Sequence, residues 1–182
     1  MLDSASTLIR EHGAAATSID DVLRHSRAPR GSVYHHFPGG RAQLIEEVVE
    51  RAGNALAEIL HDAGEATPLA TFDAFISLWK TDLQASDFRA GCPVLAVAVE
   101  TNDDAPQLTH AAARAFGSWR DALHTLLRAH GVPPARARRL ATLIVAAVEG
   151  AVALSRVEHD TQPIDDVARE LRALLREATT NP

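Results

Sequence analysis

Arg30-Gly31-Ser32-Val33-Tyr34-His35-His36-Phe37 is the stretch on which the reading of this chain turns. Pro29 stands before it, with a fixed φ and no N–H, which suits the start of a helix. Pro38-Gly39-Gly40 stands after it and breaks the chain. A short helix from about Pro29 to His36 is therefore expected. Val33 and Phe37 are four residues apart and share one face, which turns inward and anchors the helix.

Two further short helices lie upstream. Leu2, Ala5, Leu8 and Ile9 fall at helical spacing, and Gly13 stands where such a helix ends. Thr17 or Ser18 then serves as N-cap for Ile19-Asp20-Asp21-Val22-Leu23, with two carboxylates in the first turn to favour the helix dipole. This second helix runs to about His25, and Ser26-Arg27-Ala28 is a tight connection to the third. Two helices joined in this way, the second entering the major groove of DNA, make a helix-turn-helix.

Charge bears on that reading through its distribution. The 182 residues hold 18 Lys and Arg against 24 Asp and Glu, a net charge of −6, which does not by itself suggest phosphate binding. From Val22 to Ile45, however, there is no Asp or Glu, while Arg24, Arg27, Arg30, Arg41, His25, His35 and His36 all lie there. The result is a basic patch in an acidic chain, although Arg24 and Arg27 read more readily as solvated charges. Adjacent His35 and His36 point about 100° apart on a helix and have no cysteine or carboxylate nearby at ligand spacing, so no metal is expected.

The rest of the chain also reads as helical. Leu44, Ile45, Val48, Val49, Ala52, Leu56, Ile59 and Leu60 form an apolar stripe reaching about His61, and the small residues Ala63 to Pro68 mark an internal boundary. Helices are then expected over Leu69–Ala85, from Pro93 through a short buried apolar run, over Pro106–His130, over Pro134–Glu158 and after Pro163, with a turn at Asn102-Asp103-Asp104-Ala105. The fold class is all-α, with about nine helices. The single cysteine, Cys92, excludes an internal disulfide and suits a reducing compartment, as a small buried side chain. No cationic leader opens the chain and no membrane span is read, so a cytoplasmic location is expected. No nucleophile–base arrangement or phosphate loop stands out, so neither an enzyme nor a cofactor is expected.

Gly13, Thr17-Ser18-Ile19 with Val22, and Gly31-Ser32-Val33-Tyr34-His35-His36-Phe37 together resemble the TetR family of bacterial regulators. Phe37-Pro38-Gly39-Gly40-Arg41 and Gly91-Cys92-Pro93-Val94 are similar to its LmrA/YxaF-like branch. The resemblance implies a three-helix DNA-binding domain over residues 1–46, then a ligand-binding and dimerisation domain over 47–182. Where the family usually has a longer, often basic stretch before the first helix, Met1-Leu2-Asp3 begins nearly inside it, so the expectation is either a truncated chain or one with little help from a minor-groove arm.

The residues expected at DNA are Thr17, Ser18, Pro29, Arg30, Gly31, Ser32, Tyr34, His35, His36 and Arg41. Arg30 is the best candidate for reading bases, Gly31 lets the backbone approach, and Tyr34, His35, His36 and Arg41 are offered mainly to phosphates. For a small apolar effector the expected lining is Phe72, Phe75, Trp79, Leu95, Val99, Phe116, Trp119 and Leu123, with Glu149 for polarity and Glu100 and Asn102 as further polar candidates. The expected partners are a palindromic double-stranded operator, the effector, and a second copy bound through helices at about 134–158 and 164–178. The rival reading is a helical ligand-binding dimer that does not bind DNA.

Overall fold

The computed structural model describes residues 1–61, 66–100 and 105–180, apart from the side chains of Tyr34, Leu60 and His61. Nine helices and no strand occur among the described residues: α1 Leu2–His12, α2 Ile19–Ser26, α3 Arg30–His36, α4 Gly40–His61, α5 Pro68–Ala85, α6 Pro93–Glu100, α7 Pro106–Ala129, α8 Pro134–Glu158 and α9 Gln162–Thr180. The expected turn at Asn102–Asp104 and most of the boundary after His61 lie outside the described residues.

Most helix ends have a local cause. Gly13 closes α1 at φ 89°, ψ 162°, backbone that only glycine adopts readily. Ser18 caps α2 in a reciprocal box: its hydroxyl accepts from the Asp21 amide at 3.1 Å and the Asp21 carboxylate accepts from the Ser18 amide at 3.1 Å. Arg27 ends α2 in the left-handed region at φ 55°. Pro29 is the N-cap of α3, one position earlier than its expected place inside the first turn. Pro68 and Pro134 stand in the first turns of α5 and α8, where a missing N–H costs nothing.

The chain forms two compact units. The first is Met1–Asn54 with Gly91–Ala115, the second Ala55–Ala90 with Phe116–Pro182. One cut near residue 46 does not describe this division, because α6 and the first turns of α7 pack with the N-terminal helices. Arg10 Nε donates to the Gly91 carbonyl at 3.0 Å and the Gly91 amide to the Arg10 carbonyl at 2.9 Å. Arg114 of α7 pairs with Glu50 at 2.6 Å and Glu46 at 3.1 Å on α4. Gly53 lets α4 and α7 approach, since a Cβ there would come within 2.8 Å of the Ala115 methyl. The core of this unit gathers Ile9, Val22, Val33, Phe37, Leu44, Ile45, Val48, Val49, Val94 and Val97.

The second unit is built on α8, α9 and α5. Ile144, Val148 and Val152 of α8 pack with Ile164, Leu171 and Leu175 of α9 and with Phe72, Ile76 and Leu83 of α5. Each such side chain, once buried, contributes about 1.5–3 kcal/mol. Lys80 on Asp165 at 2.7 Å and Arg172 on Asp73 at 2.5 Å tie α5 to α9. By length and composition α8 is apolar enough to cross a membrane, but 44% of its most apolar window is buried inside the protein. The opposite face of α8 leaves Leu143, Leu154 and Val157 exposed, with exposed Ala146, Gly150 and Ala153 between them. These positions recur about every seven residues, the spacing of a helix–helix seam.

Candidate nucleic-acid interface and effector cavity

The α3 helix divides into two faces as its sequence requires. Val33 and Phe37 are buried, at 0% and 4% exposure, and hold the helix against the core of its unit. Pro29, Arg30, Gly31, His35 and His36 are exposed and Ser32 half-buried, while the side chain of Tyr34 lies outside the described residues. Nothing lies within 4 Å of the point where a Cβ on Gly31 would sit, so the outer side of the first turn is open to a partner. The His35 and His36 rings meet edge to face at 5.1 Å between centroids.

Arg30 Nη2 lies 2.8 Å from Asp20 Oδ1 of α2, a pairing that links the two helices of the helix-turn-helix. Both side chains are well exposed, so the pair is worth about 0–1 kcal/mol and gives way readily to a phosphate or a guanine edge. Asp21 is held differently. The Ser18 hydroxyl, then the Ser18 amide, hold its carboxyl below the usual range, and Arg24 adds to this at 3.0 Å.

Besides Arg30, four expected DNA contacts have partners inside the protein: the Ser32 hydroxyl donates to the Pro29 carbonyl at 2.6 Å, and Thr17, Ser18 and Arg41 are held in the turn before α2 and its cap. Thr17 is buried and its hydroxyl donates to the Gly13 carbonyl at 2.8 Å. The Ser18 side chain is engaged in its cap. Arg41 is half-buried, donating from Nε to the Thr17 carbonyl at 2.8 Å and from Nη2 to the Ala14 carbonyl. Carbonyls left over in the turn after α1 compete with phosphate for this guanidinium, so Arg41 braces the turn between α1 and α2. The turn has a second brace that sequence reasoning missed. Glu100, at the C-terminal end of α6, accepts from the Ala15 amide. A Cβ on Gly13 would run into Glu100 Oε1, the far end of a flexible side chain that can shift, so the glycine is required by its φ and the Glu100 contact adds a lesser constraint.

In the second unit Leu56 of α4, Phe75 of α5, Trp119 and Leu123 of α7, and Val145, Val148 and Glu149 of α8 enclose about 310 Å³ of unfilled space. That figure includes the mouth; the interior has room for roughly one or two water molecules. Phe75, Trp119, Leu123 and Glu149 thus come together as expected, and Leu56, Val145 and Val148 join them. The other expected lining residues lie elsewhere. Phe72 is in the α5–α8–α9 core, Trp79 packs on Phe75 at 6.3 Å, and Phe116 packs edge to face on Trp119 at 5.2 Å. Leu95 and Val99 belong to α6 in the first unit, and Val99 is 72% exposed. Glu100 is the brace just described, and Asn102 lies outside the described residues.

Both parts of the chain are similar to known proteins. Residues 1–53 match the bacterial regulatory proteins of the tetR family, and residues 68–170 match the C-terminal domain of LmrA/YxaF-like transcriptional regulators. An uncharacterised HTH-type transcriptional regulator of Mycobacterium tuberculosis is 48% identical over 181 residues, covering 96% of this chain and 92% of the relative. The HTH-type transcriptional regulator LmrA of Bacillus subtilis is 28% identical, covering 97% and 95%. Among solved structures, the regulatory protein TetR from Rhodobacter sphaeroides superposes with a TM-score of 0.82 at 23% identity, covering 94% of this chain and 95% of that one. With a helix-turn-helix at one end and an LmrA/YxaF-like domain at the other, the chain belongs to the TetR family of transcriptional regulators.

Proposed function

We propose that this protein is a ligand-responsive repressor that binds a palindromic operator as a homodimer and is released by a small, largely apolar effector. The exposed outer face of α3 carries the DNA half of this reading: Arg30, Gly31, His35 and His36 point outward from a helix anchored by Val33 and Phe37. Arg30 reads a base edge, His35, His36 and Tyr34 approach the backbone, and Pro29 and Ser32 flank the contact. Thr17, Ser18 and Arg41 act here by shaping the turn, so their contribution to binding is indirect.

The exposed seam of Leu143, Leu154 and Val157 on α8, with small residues between, supports pairing with a second copy through α8 and α9. Two recognition helices must then reach major grooves about 34–36 Å apart, and an effector that prefers a different separation lowers operator affinity by its differential affinity for the two states. The nearly filled cavity of the second unit suits that role, because a ligand larger than its small interior must displace lining side chains such as Phe75 or Trp119. A protein of this kind works in the cytoplasm.

Fluorescence anisotropy on DNA from upstream of its own gene, at falling salt, tests the reading. Affinity is expected to rise linearly on a log–log plot as salt falls. Arg30→Ala is expected to weaken specific binding by about 1–3 kcal/mol, roughly five- to 150-fold, with the dimer intact by sedimentation. Affinity indifferent to salt would favour a ligand-binding dimer without DNA.

A further inference from the structure

The cavity of the second unit has one acidic side chain in its lining. Positions 145, 148 and 149 of α8 face the same space, and two of them are valines, while the third is Glu149 at 7% exposure. A leucine or valine at 149 would complete the apolar lining without taking a carboxyl group out of water, which is costly in such surroundings. Around it stand Leu56, Leu123 and the rings of Phe75 and Trp119, and no other charged side chain lines the cavity among the described residues. The site is therefore apolar and aromatic, with one buried acid.

From this we infer that the cavity takes a mainly apolar amine, bound as the ammonium with its N–H directed at Glu149, an inference that rests on the effector reading above. Two observations favour the same ligand. A carboxylate and an ammonium make a charge-assisted hydrogen bond, the stronger kind, and they make it where little water competes. The faces of Phe75 and Trp119 carry partial negative charge that attracts a cation lying within about 6 Å of a ring centroid. An acidic ligand sets a second carboxyl beside Glu149, where the two cannot both ionise, and brings its negative charge toward the same ring faces, so it is disfavoured. A neutral alcohol can donate one hydrogen bond but gains nothing from the charge. The interior is nearly filled, so the ligand must be slender or must turn one of the two rings aside.

Three probes of one shape and different charge separate these cases: 4-phenylbutylamine, 4-phenylbutanol and 4-phenylbutyrate, titrated calorimetrically into the full chain. The amine is expected to bind at least about tenfold tighter than the acid, with the alcohol between them, and Glu149→Gln is expected to bring all three within about threefold. Phe75→Leu keeps the acid and removes a ring, so it is expected to weaken the amine several-fold without changing the order. If Glu149→Gln does not fold, the order of the three probes on the unaltered protein and on Phe75→Leu decides alone. An acid or alcohol that binds as tightly as the amine overturns the inference, as does a preference for the amine that survives Glu149→Gln. Binding of none of the three also overturns it, while leaving salt-dependent operator binding untouched. An amine that binds through Glu149 yet leaves the operator complex intact upholds the site and defeats its regulatory use.

Discussion

The outer face of α3 and the cavity beside α8 treat side chains in opposite ways. On α3 the groups offered to a partner are exposed and polar, and the groups that hold the helix, Val33 and Phe37, are on the other side. In the cavity the lining residues are themselves core: Trp119, Leu123 and Val148 are each buried to within a tenth of their surface. Recognition and stability are thus separable on the first surface and bound together in the second. A change on α3 can remove binding and leave the fold intact, whereas most changes in the cavity alter both.

The largest effect is expected where the two roles coincide. Trp119→Ala removes a ring that is 3% exposed and that packs on Phe116, so chemical denaturation of the variant is expected to show a loss of about 3–5 kcal/mol. A loss under about 1 kcal/mol would mean that the ring is a loosely held door, and the contrast with α3 would weaken. A smaller loss is expected at Gly13, which belongs to the framework of the first unit and not to its exposed face. Alanine there must adopt a backbone suited to glycine, at a cost of about 1–3 kcal/mol, and must also push aside the Glu100 carboxylate. Combining it with Glu100→Ala is expected to relieve only the second part, which a double-mutant cycle measures.

The same contrast explains what the sequence makes legible. Gly13, the Ser18–Asp21 cap, Pro29, Val33, Phe37 and the break at Pro38 all act on their near neighbours, so the helix-turn-helix can be read from about forty consecutive residues. The cavity draws on α4, α5, α7 and α8, and apolar periodicity tells which face of each helix is buried without telling against what. Val99 illustrates this: in the eight-residue, almost wholly apolar α6 no face stands out, and the residue proves to be exposed. Arg41 illustrates a different loss. In a basic patch an arginine reads as a phosphate contact, and only the folded turn reveals the carbonyls of Ala14 and Thr17 that occupy it. The Glu100–Ala15 contact spans 85 positions and has no signal in either stretch read separately.

Gly31 offers the finest test of whether recognition and stability are separable on α3. Its helical position and the open space around it mean that alanine meets no neighbour in the free protein. Alanine also lowers the conformational entropy of the unfolded chain, so Gly31→Ala is expected to raise stability by about 0.5–1 kcal/mol in thermal or urea unfolding. The methyl would project toward the surface that the first turn of α3 offers to DNA, where the proposed contact relies on close backbone approach. Operator affinity is therefore expected to fall in the same variant that folds more tightly. If affinity and stability rise together, the backbone of α3 does not approach DNA at Gly31, and the contact must be made by side chains farther along the helix.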